Sequence, residues 1–496
     1  MGLGLLLLVS VGKQNLYLSG QPEITYFKLV YKQHTNFSIE TIPQYFKTDP
    51  DFSRKTTINI SKNADLLSNI YLAIRLPSIP PCNHSYLPNG IKKFRWIDKI
   101  GLGMIKSIDI EIGGVLIDTI NGEYINIHHE LYLKNGHRKG YNKMIGNIDE
   151  VKNFDTSKPS YDLQIPLKFW FCQDSGLALP LISLTHNDVK IHVEFEQFNK
   201  CYLESPTHYI TIDNNFCLFN NGEIIKQEIQ GNTAIGRFVY FDVNEKRIYF
   251  DKISNDFVIP SVDSSRYNII GIDSQFEATL TPTSTLVQDE SYFKYSNPSL
   301  ELSFLLANYI YLDNKERWEF IHKELEYLIP LIDNIPEKKF FSSNVSYKID
   351  LLNNPTKIIY WRGLLLSNYN SNDIFNYTSY PLELDTKGKL INNSSIIINS
   401  IPREEIDSSD FYQKMQIYKN NMSSPQDGLY MYSFSLFPNE YQPSSSINFN
   451  KIDDSYIQFR LNKLINYQNP IMIKAYAVHY NIFRIIDGLG SLVFYA

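Results

Sequence analysis

The chain has 496 residues, more than the roughly 250–300 that one hydrophobic core usually supports, so two domains are expected. Its 35 Tyr and 30 Phe give an aromatic share of 14%, which favours β-strands. The formal net charge is −6 and the sequence has no long basic run, so its charge pattern gives no support for direct nucleic-acid binding.

The first ten residues, MGLGLLLLVS, are almost entirely apolar. No Lys or Arg precedes Lys13, whereas a secretory signal peptide begins with a basic region. The apolar run is about half of the ~20 residues that a membrane-spanning helix needs. Leu6 stands where a myristoylation motif has Ser or Thr. A cleaved or lipidated segment is the alternative to a segment that stays on the folded chain.

Alternation of apolar and polar residues predicts strands along the first half of the chain. The clearest pair is Ile105–Ile112 and Val115–Ile120, which Gly113 and Gly114 join. Two central glycines are typical of a hairpin turn with positive φ at both positions. The polar, glycine-containing stretch 130–155 predicts a long loop. Further strands are predicted over residues 24–30, 57–60 and 66–76.

Aromatic residues crowd the stretch 165–195, which predicts three strands separated by turns. Residues 165–171 and 177–184 form two apolar runs, and residues 190–195 alternate between apolar and polar side chains. Nothing in this stretch has a catalytic spacing. It therefore indicates sheet packing, and with it a structural protein.

The second half of the chain shows the same pattern of short strands with one helix among them. Asp313 is a plausible N-cap, and the spacing of apolar residues after it predicts a helix that extends to Pro330. Strands are predicted over residues 300–312, 345–351, 357–361, 430–436, 456–461 and 471–482.

Catalytic and cofactor-binding motifs are missing from the sequence. It has no Gly-x-Ser-x-Gly elbow and no phosphate loop. His128 and His129 form the best candidate metal cluster, but adjacent side chains point to opposite faces of a strand and diverge by about 100° on a helix. We therefore predict no catalytic, cofactor-binding or metal-ligating residues, and no enzymatic activity.

Four cysteines, Cys82, Cys172, Cys201 and Cys217, are too sparse for a disulfide framework in a chain of this length. They form no CxxC pair, and Cys172 lies in an apolar run. We expect buried free thiols in a reducing compartment.

Polar loops carry two kinds of candidate surface chemistry. Asn376 and Asn392 begin Asn-x-Ser/Thr sequons and are candidate glycosylation sites. The aromatic residues at 377–380 and 411–412 can either bind glycans by stacking or anchor the loops and contact other subunits, and we favour the anchoring role.

Phe169-Trp170-Phe171-Cys172, followed by Gly176 to Ile182, resembles a signature of the major capsid proteins of nucleocytoplasmic large DNA viruses, the iridovirus, phycodnavirus and mimivirus group. The resemblance continues in order along the chain. The other similar stretches are residues 17–28, 31–37, 113–114, 308–313 with 316–317, 354–355 with 360–361, 432–434 with 442–444, and 480–484 with 488–490.

This resemblance implies an all-β fold of two consecutive eight-stranded jelly-roll barrels, a double jelly roll, with a few short helices in loops. It implies an N-terminal arm over residues 1–22 and a first jelly roll over residues 23–212. Residues 213–299, which match the family least, are expected to be a linker and an insertion. The second jelly roll is expected over residues 300–496.

The function implied by the resemblance is that of a structural capsid protein without cofactors. Such chains form homotrimers, which are pseudo-hexagonal capsomers that tile the icosahedral shell of a large DNA virus. The implied partners are neighbouring capsomers, minor capsid and penton proteins, and an inner membrane reached by the N-terminal arm, with no direct nucleic-acid contact. The implied location is the capsid shell of the virion, assembled in the host cytoplasm or a virus factory.

Jelly rolls also occur in proteins of other classes, because a fold does not fix a function. One alternative is a jelly-roll protein on the virion surface that binds a glycan or a receptor. Another is a cupin-type metalloenzyme, which would require a stoichiometric metal. Within the capsid family, the main shell protein and a rarer paralog both fit the sequence.

Overall fold

The computed structural model describes most of the chain between residues 3 and 494. The described residues are 3–29, 31–80, 93–153, 155, 157–205, 208–219, 223–229, 231–261, 267–272, 274–288, 298–349, 351–379, 388–462, 465–467 and 470–494. The predicted thiol at Cys82 and the aromatic residue Tyr380 lie outside these ranges.

The first half of the chain supplies seven strands of one barrel. They are β1 (Phe37–Tyr45), β2 (Lys55–Asn59), β3 (Leu66–Leu76), β4 (Ile105–Ile112), β5 (Val115–Ile120), β6 (Tyr161–Pro166) and β7 (Val189–Phe195). Burial alternates strictly along β7, with its apolar side chains buried and its polar ones half-buried. This period of two is the pattern by which the sequence predicts a strand that covers a core on one face.

After β7 the chain forms a separate sheet of seven strands. They are β8 (His208–Thr211), β9 (Ile224–Ile229), β10 (Asn232–Asp242), β11 (Arg247–Ser254), β12 (Ile269–Gly271), β13 (Glu277–Ala278) and β14 (Leu286–Gln288). Ile210, Phe238 and Phe250 belong to an apolar cluster confined to this segment. The insertion therefore has a core of its own.

Strand β15 (Leu302–Leu312) returns the chain to the first barrel. It pairs antiparallel with β1 on one side and with β3 on the other. The expected boundary at residue 300 assigned this strand to the second jelly roll, whereas its hydrogen-bonded neighbours are strands of the first. Apolar alternation predicts a strand but not the strands that pair with it. The long insertion separates β15 from β1 and β3 in the sequence, so no local pattern indicates that they pair.

The eight strands of the first barrel form two antiparallel sheets. Their orders are β1-β15-β3-β6 and β2-β7-β4-β5. Counted by position within the barrel, these orders are 1-8-3-6 and 2-7-4-5, which is the arrangement of a jelly roll.

The second half of the chain repeats this arrangement. Its strands are β16 (Leu325–Phe340), β17 (Asn344–Lys348), β18 (Pro355–Leu365), β19 (Ile391–Ile398), β20 (Ile401–Pro402), β21 (Leu429–Ser433), β22 (Ser455–Leu461) and β23 (Ile471–Ile486). The sheet orders are β16-β23-β18-β21 and β17-β22-β19-β20. Both barrels thus share one strand order, and the predicted double jelly roll is confirmed.

Short strands and helices lie outside the two barrels' main strands. Two-residue to four-residue strands lie at Lys93–Trp96, Leu179–Pro180, Tyr202–Ser205, Ile447–Asn448 and Leu489–Leu492. The α-helices are α1 (Leu3–Val9), α2 (Lys13–Ser19), α3 (Ile100–Gly103), α4 (Gly122–Tyr132), α5 (Arg138–Met144), α6 (Asp149–Lys152), α7 (Asn314–His322), α8 (Leu366–Asn370) and α9 (Gln416–Lys419). Single 3₁₀ turns lie at Asn135–His137, Trp170–Cys172, Ser175–Leu177, Phe198–Lys200 and Phe449–Lys451, and a π-helical turn at Phe411–Met415. Among the described residues, none of the helices has both the length and the apolar character to cross a membrane.

Several local predictions were wrong for identifiable reasons. The stretch 130–155 contains the end of α4 and the helices α5 and α6 instead of one long loop, because polar residues on exposed helix faces resemble loop composition. Residues 24–29 form no strand and are exposed, since no neighbouring strand pairs with them. In the stretch 165–195, residues 170–172 form a buried 3₁₀ turn, so these aromatic side chains pack in the core without belonging to a strand.

The predicted helix after Asp313 is confirmed at its start and shorter than expected at its end. The Asp313 side chain accepts a hydrogen bond of 2.9 Å from the backbone N–H of Glu316. Helix α7 ends at His322, and Pro330 lies inside β16. Strand β16 pairs only with β23 among the described residues, so a proline without an N–H is tolerated on its free side.

The alternating strand directions separate the connections into two groups. All pairings are antiparallel, so connections after odd-numbered barrel strands lie at one end of the barrel and those after even-numbered strands lie at the other. In the first barrel the odd group includes helices α4–α6 and the insertion, and we call this the loop end. The segment before β1 and the turns after even-numbered strands lie at the opposite end, the base end.

Candidate assembly surfaces

Helix α4 lies between the two barrels and carries the side chains that join them. Its N-cap is Asn121, whose side-chain oxygen accepts a 2.8 Å hydrogen bond from the backbone N–H of Tyr124. The helix buries residues on several faces, among them Ile125, Asn126 and Glu130. A helix buried all round is held by tertiary contacts on each side, and here those contacts come from both barrels.

Glu123 in α4 is the centre of a buried charge network. Its carboxylate pairs with the Arg362 guanidinium on β18 and lies 3.4 Å from Lys474 Nζ on β23. The Tyr476 hydroxyl donates to the same carboxylate at 2.6 Å. Arg362 also donates to Glu337 Oε2 at 2.7 Å. Burial by itself would raise the pKa of Glu123, but the two cations and the hydrogen bonds outweigh it and hold that pKa at about 2.

Lys99 connects the same helix to the loop end of the second barrel. Its ammonium donates to Asn126 Oδ1 at 2.7 Å, to Glu130 Oε1 at 2.9 Å and to Gln426 Oε1 at 2.9 Å. Arg138 donates to the second oxygen of Glu130 at 3.0 Å. Every proton of this buried ammonium therefore has an acceptor, which offsets the cost of removing the charge from water.

Asp118 is a further buried carboxylate at the barrel interface, and no cation of the described residues lies beside it. Asp118 Oδ1 accepts hydrogen bonds from the backbone N–H groups of Thr119 at 2.9 Å and of Ile332 at 3.4 Å. Its other oxygen, Oδ2, has no hydrogen-bond partner among the described residues. Burial raises the pKa of Asp118 to about 8, because the charged form is costly where no counter-charge compensates it.

The loop ends of the two barrels contact one another. Arg237 of the insertion pairs with Asp373 of the second barrel at 3.3 Å. Asn372 donates to the backbone carbonyls of Asn199 and Tyr202 at 2.8 and 3.0 Å. The long connections of both barrels therefore lie on the same side of the molecule.

Strand β1 and helix α7 each expose apolar side chains. On β1 the odd-numbered residues share one exposed face, on which Phe37, Ile39 and Tyr45 are each more than half exposed. On α7, Trp318 and Ile321 are about half exposed and no residue of the helix is buried. Strand β1 pairs only with β15 among the described residues, so its other edge is unpaired. Exposed apolar patches and free strand edges mark sites of protein association.

The two candidate metal ligands do not face a common point. His128 stacks on Tyr132 at 4.5 Å, and His129 stacks on Tyr141 at 3.9 Å. Burial lowers the pKa of His128 well below its usual range and that of His129 to about 2, so both rings are neutral. Within the described ranges, no group of three His, Cys, Asp or Glu side chains is placed to hold a metal ion.

The residues predicted as candidate glycan-stacking and glycosylation sites are less exposed than their loop-like sequence predicts. Tyr377 and Tyr412 are buried, so neither ring offers a stacking platform for a glycan. Asn376 is half-buried and its amide donates to Asp373 at 2.9 Å, while Asn392 lies on β19. Glycosylation at Asn376 and Asn392 stays a prediction. Cys172 and Cys201 are buried free thiols, and Cys217 is a half-buried free thiol.

The residues that join the barrels were missed at the sequence level. Glu123, Arg362 and Lys474 are single charges in three distant parts of the chain, and no local spacing connects them. The available signal was the charged Arg362 inside the apolar run IIYWRGLL of β18, because a charge buried there requires a counter-charge.

These features define a class of protein: a double jelly roll with two packed barrels and exposed apolar surfaces. Two family models match the chain. The one described as "Major capsid protein N-terminus" matches residues 25–242, and "Large eukaryotic DNA virus major capsid protein" matches residues 316–491. The chain belongs to the family of major capsid proteins of large eukaryotic DNA viruses.

Individual relatives match along the whole chain. "Probable capsid protein 4" of Acanthamoeba polyphaga mimivirus is 36% identical over 99% of both chains. The "Major capsid protein" of Phaeocystis pouchetii virus is 27% identical over 99% of both chains. The protein is therefore a structural component of a virion shell and not an enzyme.

Solved structures show the same fold at low sequence identity. The Faustovirus major capsid protein superposes with a TM-score of 0.67 and 13% identity, over 96% of this chain and 94% of that one. A quasi-atomic model of the PBCV-1 virus capsid gives a TM-score of 0.62 and 20% identity, over 95% of this chain and 100% of that one.

Proposed function

We propose that three copies of this chain form a capsomer with a pseudo-hexagonal outline, and that such capsomers tile an icosahedral shell. The observation that carries this proposal is the repetition of one strand order in two barrels of the same chain. Three chains related by a threefold axis then present six similar barrels around a ring. Closed symmetric association of this kind is the usual way in which identical chains assemble.

The exposed apolar surfaces are suited to contacts within and between capsomers. The apolar face of β1 belongs to the first barrel, and α7 connects the first barrel to the second. A heterologous contact, in which the first barrel of one chain meets the second barrel of the next, closes into a ring after three copies. These surfaces would then be covered in the trimer, which removes their apolar side chains from water.

The two ends of the barrels are proposed to have different environments. The loop end, with the insertion and the helices between the barrels, would face outward. The base end and the N-terminal arm would face the interior. The side chains of α1 and α2 are exposed, and six of the seven residues of α1 (LGLLLLV) are Leu or Val. We propose that this arm contacts minor capsid or penton proteins, or an inner membrane, in particles assembled in the host cytoplasm or a virus factory.

The molar mass of the full-length protein in solution tests the trimer. Multi-angle light scattering is expected to give three times the chain mass of 57.7 kDa across a tenfold range of concentration. Negative-stain images of the same peak are expected to show six-cornered particles. A monomer under all salt and pH conditions tried would contradict the proposal, and so would a dimer or a tetramer.

A further inference from the structure

A cavity between the barrels is lined by two lysines that have no anionic partner within the described part of the chain. Its volume is about 180 Å³, far more than the ~10–15 Å³ needed for one water. Lys168 comes from the segment after β6, and Lys357 comes from β18. The two lysines thus line one space from different barrels.

Both lysines are short of compensating contacts. Among the described residues, neither ammonium has an ion-pair or hydrogen-bond partner, and Lys357 makes only a cation–π contact of 5.6 Å with the ring of Tyr480. Lys357 as a residue is more than nine-tenths buried. Burial lowers the pKa of Lys168, and it lowers the pKa of Lys357 to about 8. Lys99, at the same barrel interface, shows the contrasting arrangement with a full set of acceptors.

The cavity is also lined by neutral polar rings and by apolar side chains. His128 Nδ1 is buried and without a hydrogen-bond partner among the described residues. Tyr132 and Tyr360 share a hydrogen bond of 2.7 Å between their hydroxyl groups. Among the described residues that line the cavity, Glu440 alone carries a carboxylate, and it is exposed. The interior of the cavity therefore offers positive charge and donors without an acidic group.

We propose that this cavity binds a small oxyanion of the phosphate class, held by Lys168 and Lys357 with His128 as a further donor or acceptor. Two cations and neutral polar groups match a multivalent anion, because charge-assisted hydrogen bonds to phosphate oxygens are strong and short. The bound anion would connect a segment of the first barrel to a strand of the second, and so stabilise their packing. Free phosphate and a phosphate group on a small organic molecule share this chemistry.

The test uses dialysed full-length protein and follows its apparent Tm and its titration heat. Inorganic phosphate is expected to raise the Tm by several degrees over sodium chloride of equal ionic strength, because a ligand that binds only the folded state stabilises it. Sulfate and glycerol 3-phosphate are the comparison probes. A larger effect of glycerol 3-phosphate would assign the site to an organic phosphate, and an equal or smaller effect would assign it to the free anion.

Variants separate binding from a structural role. Lys357→Met and Lys168→Met are each expected to weaken phosphate binding by about tenfold or more, since each removes a charged donor. The matched control is Lys339→Met, an exposed lysine on β16 that does not line the cavity. Without phosphate, Lys357→Met is expected to be at least as stable as the parent chain, because the substitution removes an uncompensated buried charge.

Two results would overturn the proposal. One is the absence of a phosphate effect in the parent chain together with less than one phosphate per ten chains released on acid denaturation. The other is a phosphate effect of the same size in the parent chain and in Lys357→Met. In the second case the stabilisation would come from ion effects on the protein surface and not from this cavity.

Discussion

Gly113 and Gly114 form the turn between β4 and β5 with φ of +59° and +85°, as a two-residue hairpin of the primed type requires. The two positions differ in their surroundings. A Cβ on Gly113 would lie 1.5 Å from Nδ2 of Asn187, whereas one on Gly114 would meet nothing within 4 Å. Asn187 is buried and accepts a 3.2 Å hydrogen bond from the backbone N–H of Gly490 near the end of the second barrel.

Alanine substitutions at these two glycines are expected to have unequal effects. Gly114→Ala should cost about 1 kcal/mol, the strain of a left-handed conformation in an L-residue. Gly113→Ala carries the same strain and also displaces Asn187, so its apparent Tm should fall further. Thermal melts at one scan rate measure the difference. Equal Tm values for the two variants would show that Asn187 relaxes without loss.

The buried Glu123 carboxylate should contribute far more to the stability of the folded chain than an exposed carboxylate does. Glu123→Gln removes the negative charge that Arg362 and Lys474 share, and loss of one charged member of a buried network typically costs about 3–5 kcal/mol. The control is Glu326→Gln, which breaks the exposed pair with Arg484 and should cost ~1 kcal/mol or less. Thermal melts at pH 7 compare them, and similar losses in both would contradict a structural role for the network.

The same carboxylate predicts a loss of stability in acid. Its folded-state pKa of about 2 lies below the usual value of 4.5, so its contribution is present above pH 4.5 and is lost as pH falls towards 2. The apparent Tm of the parent chain should therefore drop over this window more steeply than that of Glu123→Gln. Parallel curves for the two chains would rule out Glu123 as a source of the acid sensitivity.

Asp118 predicts a slope of the opposite sign. Its folded-state pKa of about 8 lies above the usual value of 3.8, so folding favours the protonated acid and stability declines as pH rises from about 4 to 8. Asp118→Asn should remove this part of the slope and raise the Tm at pH 8, because the amide is neutral and of similar size. Tm values from pH 5 to 8 test it, and a lower Tm for the variant at pH 8 would mean that the ionised carboxylate is stabilising.

At the scale of elements, the N-terminal arm is expected to be dispensable for folding. Helices α1 and α2 bury no side chain, so deletion of residues 1–22 should leave the apparent Tm and the trimer mass unchanged. Replacement of Leu5, Leu6, Leu7 and Leu8 by Ser keeps the length of the arm and should abolish any flotation of the protein with lipid vesicles. A lower Tm on deletion would instead show that the arm packs on the barrels.

Strand elements were the most predictable part of the chain. Strands β4, β5 and β7 alternate between apolar and polar residues because each covers a core on one face, and this local pattern was sufficient. Helices α5 and α6 were missed because their exposed polar residues also suit loops. The partners of β15 were not predictable, since strand pairing across the insertion is decided by tertiary packing that leaves no local trace.

For the whole molecule, the family resemblance was sufficient to predict the double jelly roll and the structural class. The contacts that join the two barrels could be identified only from the structure. Buried charges such as Glu123 and Arg362 are recognisable in sequence only as isolated charges, because their partners lie hundreds of residues away. The same holds for Lys168 and Lys357, whose shared cavity depends on how the two barrels pack. Sequence patterns predict which face of a strand or helix is buried, but they do not predict which residues pack against that face.

The measurement that tests the central claim most directly is a cryo-electron microscopy reconstruction of the purified soluble oligomer without imposed symmetry. Our account predicts three chains around a threefold axis, with six barrel densities in a ring. Extra density for the insertion should mark every second barrel, on the side opposite to the N-terminal arm. A particle without threefold symmetry, or one in which each chain contributes a single barrel to the ring, would contradict the account.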